Sequence, residues 1–237
     1  MEISHDEGYL SMSDIENCIF GYVLLKLKDN CLSNLGGSMP NLSLSDLIDV
    51  VSKSGTPKAT KVRQIKNRPA YQPAIDFYKP LRDAFVKIHT EGADRSSLDG
   101  IVPKLTDVKK ITSYPELVEG YKKWWGKKKI GWFVPPRGTY SHAGIDISVN
   151  PELGLVIDGA RVVIKLYMKA DPISQYRVDL IPLLLELVLR DKCQAGDAVG
   201  LLDARKGKLH YLTVNPGTSK PILDAELAYV AALWPHV

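Results

Sequence analysis

Glu152 and Lys165 are the residues of this 237-residue chain whose types and spacing best suit chemistry, and the stretch between them explains why. It contains "VIDGARVV", in which Asp158-Gly159 separates two runs rich in β-branched residues. An Asp-Gly dipeptide between extended segments predicts a two-residue hairpin, because a type I′ turn needs positive φ at both positions. Counting outward from that turn places Ile157 opposite Ala160, Val156 opposite Arg161, Leu155 opposite Val162, Gly154 opposite Val163 and Leu153 opposite Ile164. Glu152 then lands opposite Lys165. Directly opposed side chains sit roughly 5 Å apart at Cβ, so a carboxylate and an ammonium there can meet.

Such a pair has two readings. One is a cross-strand ion pair, worth roughly 0–1 kcal/mol when exposed. The other is a reactive cluster, in which Glu152 and Asp146, strand positions of equal parity, hold a divalent cation while Lys165 organises a water or an oxyanion. Magnesium prefers carboxylate oxygens, and phosphodiester hydrolysis needs charge stabilised at the phosphoryl group.

Two basic stretches suit an anionic partner. "PKATKVRQIKNRPAY" carries Lys58, Lys61, Arg63, Lys66 and Arg68 with no acidic residue, and reads as a solvated linker or as a basic arm. "YKKWWGKKKIGWF" puts five lysines and three tryptophans into thirteen residues. Its rings complete a core and its lysines solvate a helix end, where cations favour the macrodipole. Alternatively, Lys127, Lys128 and Lys129 form a basic rim on phosphates, with Arg137 or a tryptophan stacking a base. If arm and rim together neutralise five or six phosphates, log affinity falls with log salt at a slope of about −4 to −5.

The elements that must position these groups follow from periodicity and punctuation. Residues 1–56 read as a helical N-terminal region, with one helix in "SDIENCIFGYVLLKLKDN" and a second in "SLSDLIDVVSKSG". Residues 57–71 read as the basic linker or arm, and 72–237 as an α/β core with a helical lead-in. "QPAIDFYKPLRDAFVKIH" is helical, with Pro80 expected to kink or divide it. "SYPELVEGYKKWW" is a helix with Ser113 as cap and Pro115 in its first turn. The period then turns to alternation in "KIGWFVPP", "AGIDISVNPELGLVID" and "ARVVIKLYMK", three strands. "RVDLIPLLLELVLRDK" is a helix capped by Asp179, "DAVGLLDA" and "KLHYLTV" are strands, and "ILDAELAYVAALW" is a closing helix. That order predicts an α/β (α+β) fold with a mixed sheet.

A helix, a three-strand meander, a helix and a further strand, with "PEL" on the second strand and "IKLYMK" on the third, resembles the PD-(D/E)xK nuclease superfamily over about residues 114–213. The resemblance implies a nuclease-like α-β-β-β-α-β core and magnesium held by Asp146 or Glu152, with Lys165 beside the attacking water. Catalytic roles then fall to Lys165 and Glu152. Two residues before Lys165, where that superfamily places Asp or Glu, this chain has Val163. Either another carboxylate substitutes, Glu186 being the best candidate, or the site is degenerate and binds without cutting. Glu186 also has a plain partner in Arg190, at i,i+4.

The bulk properties bound these readings. A formal net charge of +4 permits DNA or RNA as partner without demanding it. The N-terminus "MEISHDEGYL" lacks the basic start and apolar run of a secretory signal, and "LIPLLLELVL" is too short to span a bilayer, so the expectation is a cytoplasmic protein with no membrane partner. Cys18, Cys31 and Cys193 lack metal-binding or redox spacing, and His5, His89, His210 and His236 show none either. His142 lies in a predicted loop before Asp146. No P-loop, dinucleotide fingerprint or GxSxG elbow is present. Beside a magnesium-dependent phosphodiesterase stand two alternatives: a nucleic-acid-binding module with a vestigial site, and a protein-interaction component such as an immunity or antitoxin-like partner.

Overall fold

The computed structural model describes residues 40–72 and 76–237. In chain order these form β1 (Asn41–Ser43), α1 (Leu44–Val51), α2 (Gly55–Lys66), α3 (Lys79–Thr90), α4 (Val108–Trp125), β2 (Ile130–Phe133), β3 (Gly138–His142), β4 (Ile145–Val149), β5 (Leu153–Ile157) and β6 (Ala160–Tyr167). Then follow α5 (Gln175–Leu189), β7 (Ala198–Asp203), β8 (Lys208–Tyr211) and α6 (Pro216–Leu233). The strands make two mixed sheets, one in the order β1-β4-β3 and one in the order β2-β5-β6-β7-β8. The chain is thus α+β. The second predicted N-terminal helix is α1, opened by a capping box between Ser43 and Asp46; the first lies outside the described residues.

The larger sheet separates two cores, and β6 supplies both. Val162, Ile164 and Leu166 pack against α3 and α4, whereas Val163 and Tyr167 pack toward α1, α5, α6 and the smaller sheet. A strand covered on both faces reads as a nearly continuous apolar run, which is what "ARVVIKLY" is. The tryptophan-lysine stretch takes the plain reading. Tyr121, Trp124 and Trp125 are buried in the α4 core, and Gly126 ends the helix at φ 55°.

Several expected boundaries shift, each for a local reason. "AGIDISVNPELGLVID" is not one strand but β4 and β5, which belong to different sheets. The break falls at Asn150-Pro151, where proline has no N–H for a ladder and its ring restricts the residue before it. The stretch "GTYSH", expected as loop, is β3; it pairs with β4 across Ala143-Gly144, whose φ values of 50° and 78° make a second tight turn. Helix α4 begins under Asp107, whose side chain accepts from the N–H groups of Lys109 and Lys110, so Pro115 lies inside the helix. Pro80 opens α3 without kinking it, and α5 starts at Ser174 rather than Asp179.

The largest change concerns residues 57–71. Most of this span is α2, not a linker, and its Val62 and Ile65 are buried in the core beside α1. Gly120 lets α4 approach the turn after β7: a Cβ there would sit 2.2 Å from the carbonyl oxygens of Ala204 and Arg205. Among the described residues no helix is long and apolar enough to cross a membrane.

Candidate functional site

The β5–β6 hairpin has the predicted register throughout, from Ile157 opposite Ala160 to Leu153 opposite Ile164. Both turn residues have positive φ, 48° at Asp158 and 93° at Gly159. One step beyond the ladder, Glu152 donates its backbone N–H to the carbonyl of Ile164, 3.2 Å away, which extends the pairing. The Lys165 ammonium therefore reaches Glu152 Oε1 at 2.5 Å. Lys165 also donates to the carbonyl of Asn150 at 2.9 Å, and the N–H of Leu166 donates to Glu152 Oε2 at 2.8 Å. Both carboxylate oxygens and the ammonium are thus engaged inside the protein. The two side chains keep only 13% and 18% exposure, so this is a partly buried pair, not a loose surface one.

Glu152 and Lys165 lie on a groove of about 1480 Å³ whose other walls come from α1, α2, α3 and the segment after β2. Seven lysines and arginines line it against five aspartates and glutamates, which leaves an excess of two positive charges. The partly buried Trp132 and the exposed Tyr71 add aromatic faces.

The proposed metal ligands do not converge. Asp146 is on β4 in the smaller sheet, where its Oδ1 accepts from the Ser141 hydroxyl at 2.6 Å. Glu186, on α5, is held by Arg190 through two hydrogen bonds of 2.7 and 2.6 Å, the plain i,i+4 alternative. Val163 has no exposure and sits in the core, so no carboxylate stands at the usual acidic position. Among the described residues no group of three His, Cys, Asp or Glu side chains is placed to hold a metal ion. The set Asp146, Glu152 and Glu186 therefore does not fit magnesium. Parity could not have revealed this, because Pro151 moves Asp146 and Glu152 into separate sheets.

The nine predicted nucleic-acid-binding cations divide by tertiary placement. Lys61, Arg68 and Arg137 line the groove. Lys58 is buried against Glu226 and Tyr229 of α6, and Lys66 donates to the carbonyl of Trp234 at 2.8 Å. Arg63 is exposed outside the groove lining. Lys127 and Lys129 are exposed beyond the end of α4, and Lys128 lies over the Trp124 ring at 5.5 Å. The segment that has no counter-charge in sequence acquires three in space: Glu226 for Lys58, Asp49 for Lys61 and Asp46 for Arg68.

The structure adds residues that no local motif announces. Asp46 takes Arg68 in a two-point contact of 2.8 and 2.9 Å. Asp76 binds Arg82 at 2.9 Å and the Tyr71 hydroxyl at 2.8 Å. Asp49 is surrounded by Lys61, Lys169 and Arg177. Burial alone would push the Asp49 carboxyl up, but those three cations outweigh it and hold the group below the usual carboxylate range. His142 ends β3 and lies 3.5 Å from Asp224, whose other oxygen takes Lys220. No family model matches the chain, and no curated protein matches it.

Proposed function

We propose that this protein is a nucleic-acid-binding module on a nuclease-like core, which holds its ligand in the charged groove without cutting it. The observation that carries the proposal is the Glu152–Lys165 pair. These residues, which resemble the second- and third-strand signature of PD-(D/E)xK nucleases, neutralise each other at the groove wall, and no trio of metal-ligating side chains forms among the described residues.

Three further features support the reading. Within the larger sheet, helix α4, antiparallel strands β2-β5-β6, crossing helix α5 and parallel strand β7 keep the sequence of elements that the resemblance implies, with β3 and β4 inserted between β2 and β5 as part of the smaller sheet. The positive excess of the groove suits a polyanion. Its volume of about 1480 Å³ exceeds the roughly 300–1,000 Å³ typical of a small-molecule pocket, and Trp132 and Tyr71 offer faces on which bases stack.

Labelled single-stranded and duplex DNA and RNA, titrated over a salt series in EDTA or in magnesium, test this. Because only some of the basic residues line the groove, the expected contact is with three or four phosphates, and the log–log salt slope for a single strand is about −2 to −3. Binding is expected to need no magnesium, which as a competing counterion only weakens it, and the oligonucleotide stays intact afterwards. A flat salt response refutes the proposal. Cleavage that requires magnesium and disappears in Glu152→Ala and Lys165→Ala would replace it with the phosphodiesterase reading. Absence of binding together with concentration-dependent oligomers would favour a protein-interaction role.

A further inference from the structure

Asp49 meets more positive charge than it can neutralise. Its Oδ2 lies 3.2 Å from Lys61 Nζ and 3.3 Å from Lys169 Nζ, and its Oδ1 accepts from Arg177. The four residues come from four places: α1, α2, the segment after β6 and the first turn of α5. They are not equivalent. The Arg177 side chain is only 12% exposed and is held over the Tyr167 ring at 5.4 Å, so it is the fixed counter-ion of Asp49. Lys61 and Lys169 are 25% and 39% exposed and both line the groove.

With Asp49 already matched by Arg177, two ammonium groups share one carboxylate oxygen and repel each other at the groove surface. The neighbouring Arg68–Asp46 pair on the same groove is balanced, one cation to one carboxylate. An anion with several oxygens relieves the repulsion by accepting from both lysines at once. A phosphoryl group has that shape and charge, and ammonium donors are well suited to it as point charges.

We infer that Lys61 and Lys169 form a two-lysine phosphate clamp in the groove, positioned by Asp49 and Arg177. The clamp rests on the groove being the ligand surface, as proposed above, and it specifies which charges seize the phosphoryl group. That group is either an internal phosphodiester of a nucleic-acid strand or a terminal phosphate.

The test compares the wild type with Lys61→Gln/Lys169→Gln and with the charge-preserving Lys61→Arg/Lys169→Arg. Probes are a 5′-phosphorylated oligonucleotide, its 5′-hydroxyl counterpart, and inorganic phosphate measured by calorimetry. Arg177 still neutralises Asp49 in both variants, and a urea midpoint for each confirms folding. The glutamine pair is expected to bind the oligonucleotide roughly tenfold more weakly, with a salt slope shallower by about 0.7, the share of one phosphate on a single strand. The arginine pair retains binding. A loss confined to the 5′-phosphorylated strand assigns the clamp to a terminal phosphate; an equal loss on both strands assigns it to the backbone.

Unchanged affinity and slope in the folded glutamine pair overturn the clamp while leaving the groove reading intact. If the wild type binds no oligonucleotide, the groove reading fails by itself. Inorganic phosphate then decides the clamp: binding lost in the glutamine pair sustains it for another phosphorylated ligand, and no phosphate binding overturns it.

Discussion

Lys165→Met is expected to destabilise the protein by about 3 kcal/mol, the lower end of the range for breaking a buried ion pair from one side. The substitution leaves Glu152, 13% exposed, with the Leu166 N–H as its remaining donor. Water reaches it from the groove, which keeps the cost from rising further. Glu152→Gln should cost less, about 1–2 kcal/mol, because Lys165 still donates to the Asn150 carbonyl and the new amide oxygen still accepts from Leu166. The double variant Glu152→Gln/Lys165→Met should recover most of the loss, since neither charge is then stranded. Urea unfolding of the four proteins gives the coupling energy directly. A coupling near zero would mean that the pair is not held in the folded state, and the groove would then have a free lysine and a free glutamate. The same variants matter for function, since a pair that exists to stabilise the fold and a pair that cuts phosphodiesters lose different things when both partners are replaced.

Acid should destabilise the protein through His89. The side chain is 5% exposed, stacks on Trp125 with ring centroids 4.6 Å apart, and has its Nε2 2.6 Å from the Tyr121 hydroxyl. Burial pushes its pKa down from 6.5 to about 4. The unfolded chain therefore takes up a proton as pH falls below 6.5, while the folded chain refuses it until about pH 4. Stability is retained above the unfolded value and declines between the two, by about 3 kcal/mol on reaching pH 4. Asp46, Asp49 and Asp76 are all held below 3.8, so their linked losses come mainly below this window. His210 is shifted the same way by burial and by Lys208, and adds to the decline. His89→Gln removes the titration while keeping a polar partner for Tyr121. Urea midpoints of this variant should fall much less between pH 7.5 and 4 than those of the wild type. Equal pH dependence in the two proteins would assign the acid sensitivity to other groups.

The hairpin was readable because its determinants are local. Asp158-Gly159 sets the turn, the turn sets the register, and the register alone brings Glu152 to Lys165. The α+β class was readable for the same reason, since helical and alternating periods are properties of short windows. Pro151 was equally local, yet its effect was easy to underestimate: one missing N–H divides an apparently continuous strand between two sheets. Charge was the least legible property. A run of five cations without an acidic neighbour suggests an exposed arm only if nothing distant answers it, and here Asp46, Asp49 and Glu226 do.

By itself, then, the amino-acid order determined the periods, the turns and the one ion pair that a two-residue bend dictates. Only the tertiary structure decided that Asp146, Glu152 and Glu186 stay apart, that Lys58 points into the protein, and that Lys61 and Lys169 crowd one oxygen of Asp49. The physical reason is range. Backbone sterics and hydrogen bonding act over a few residues, whereas the electrostatics of a groove depend on which side chains the packing of separate helices and sheets brings within a few ångströms.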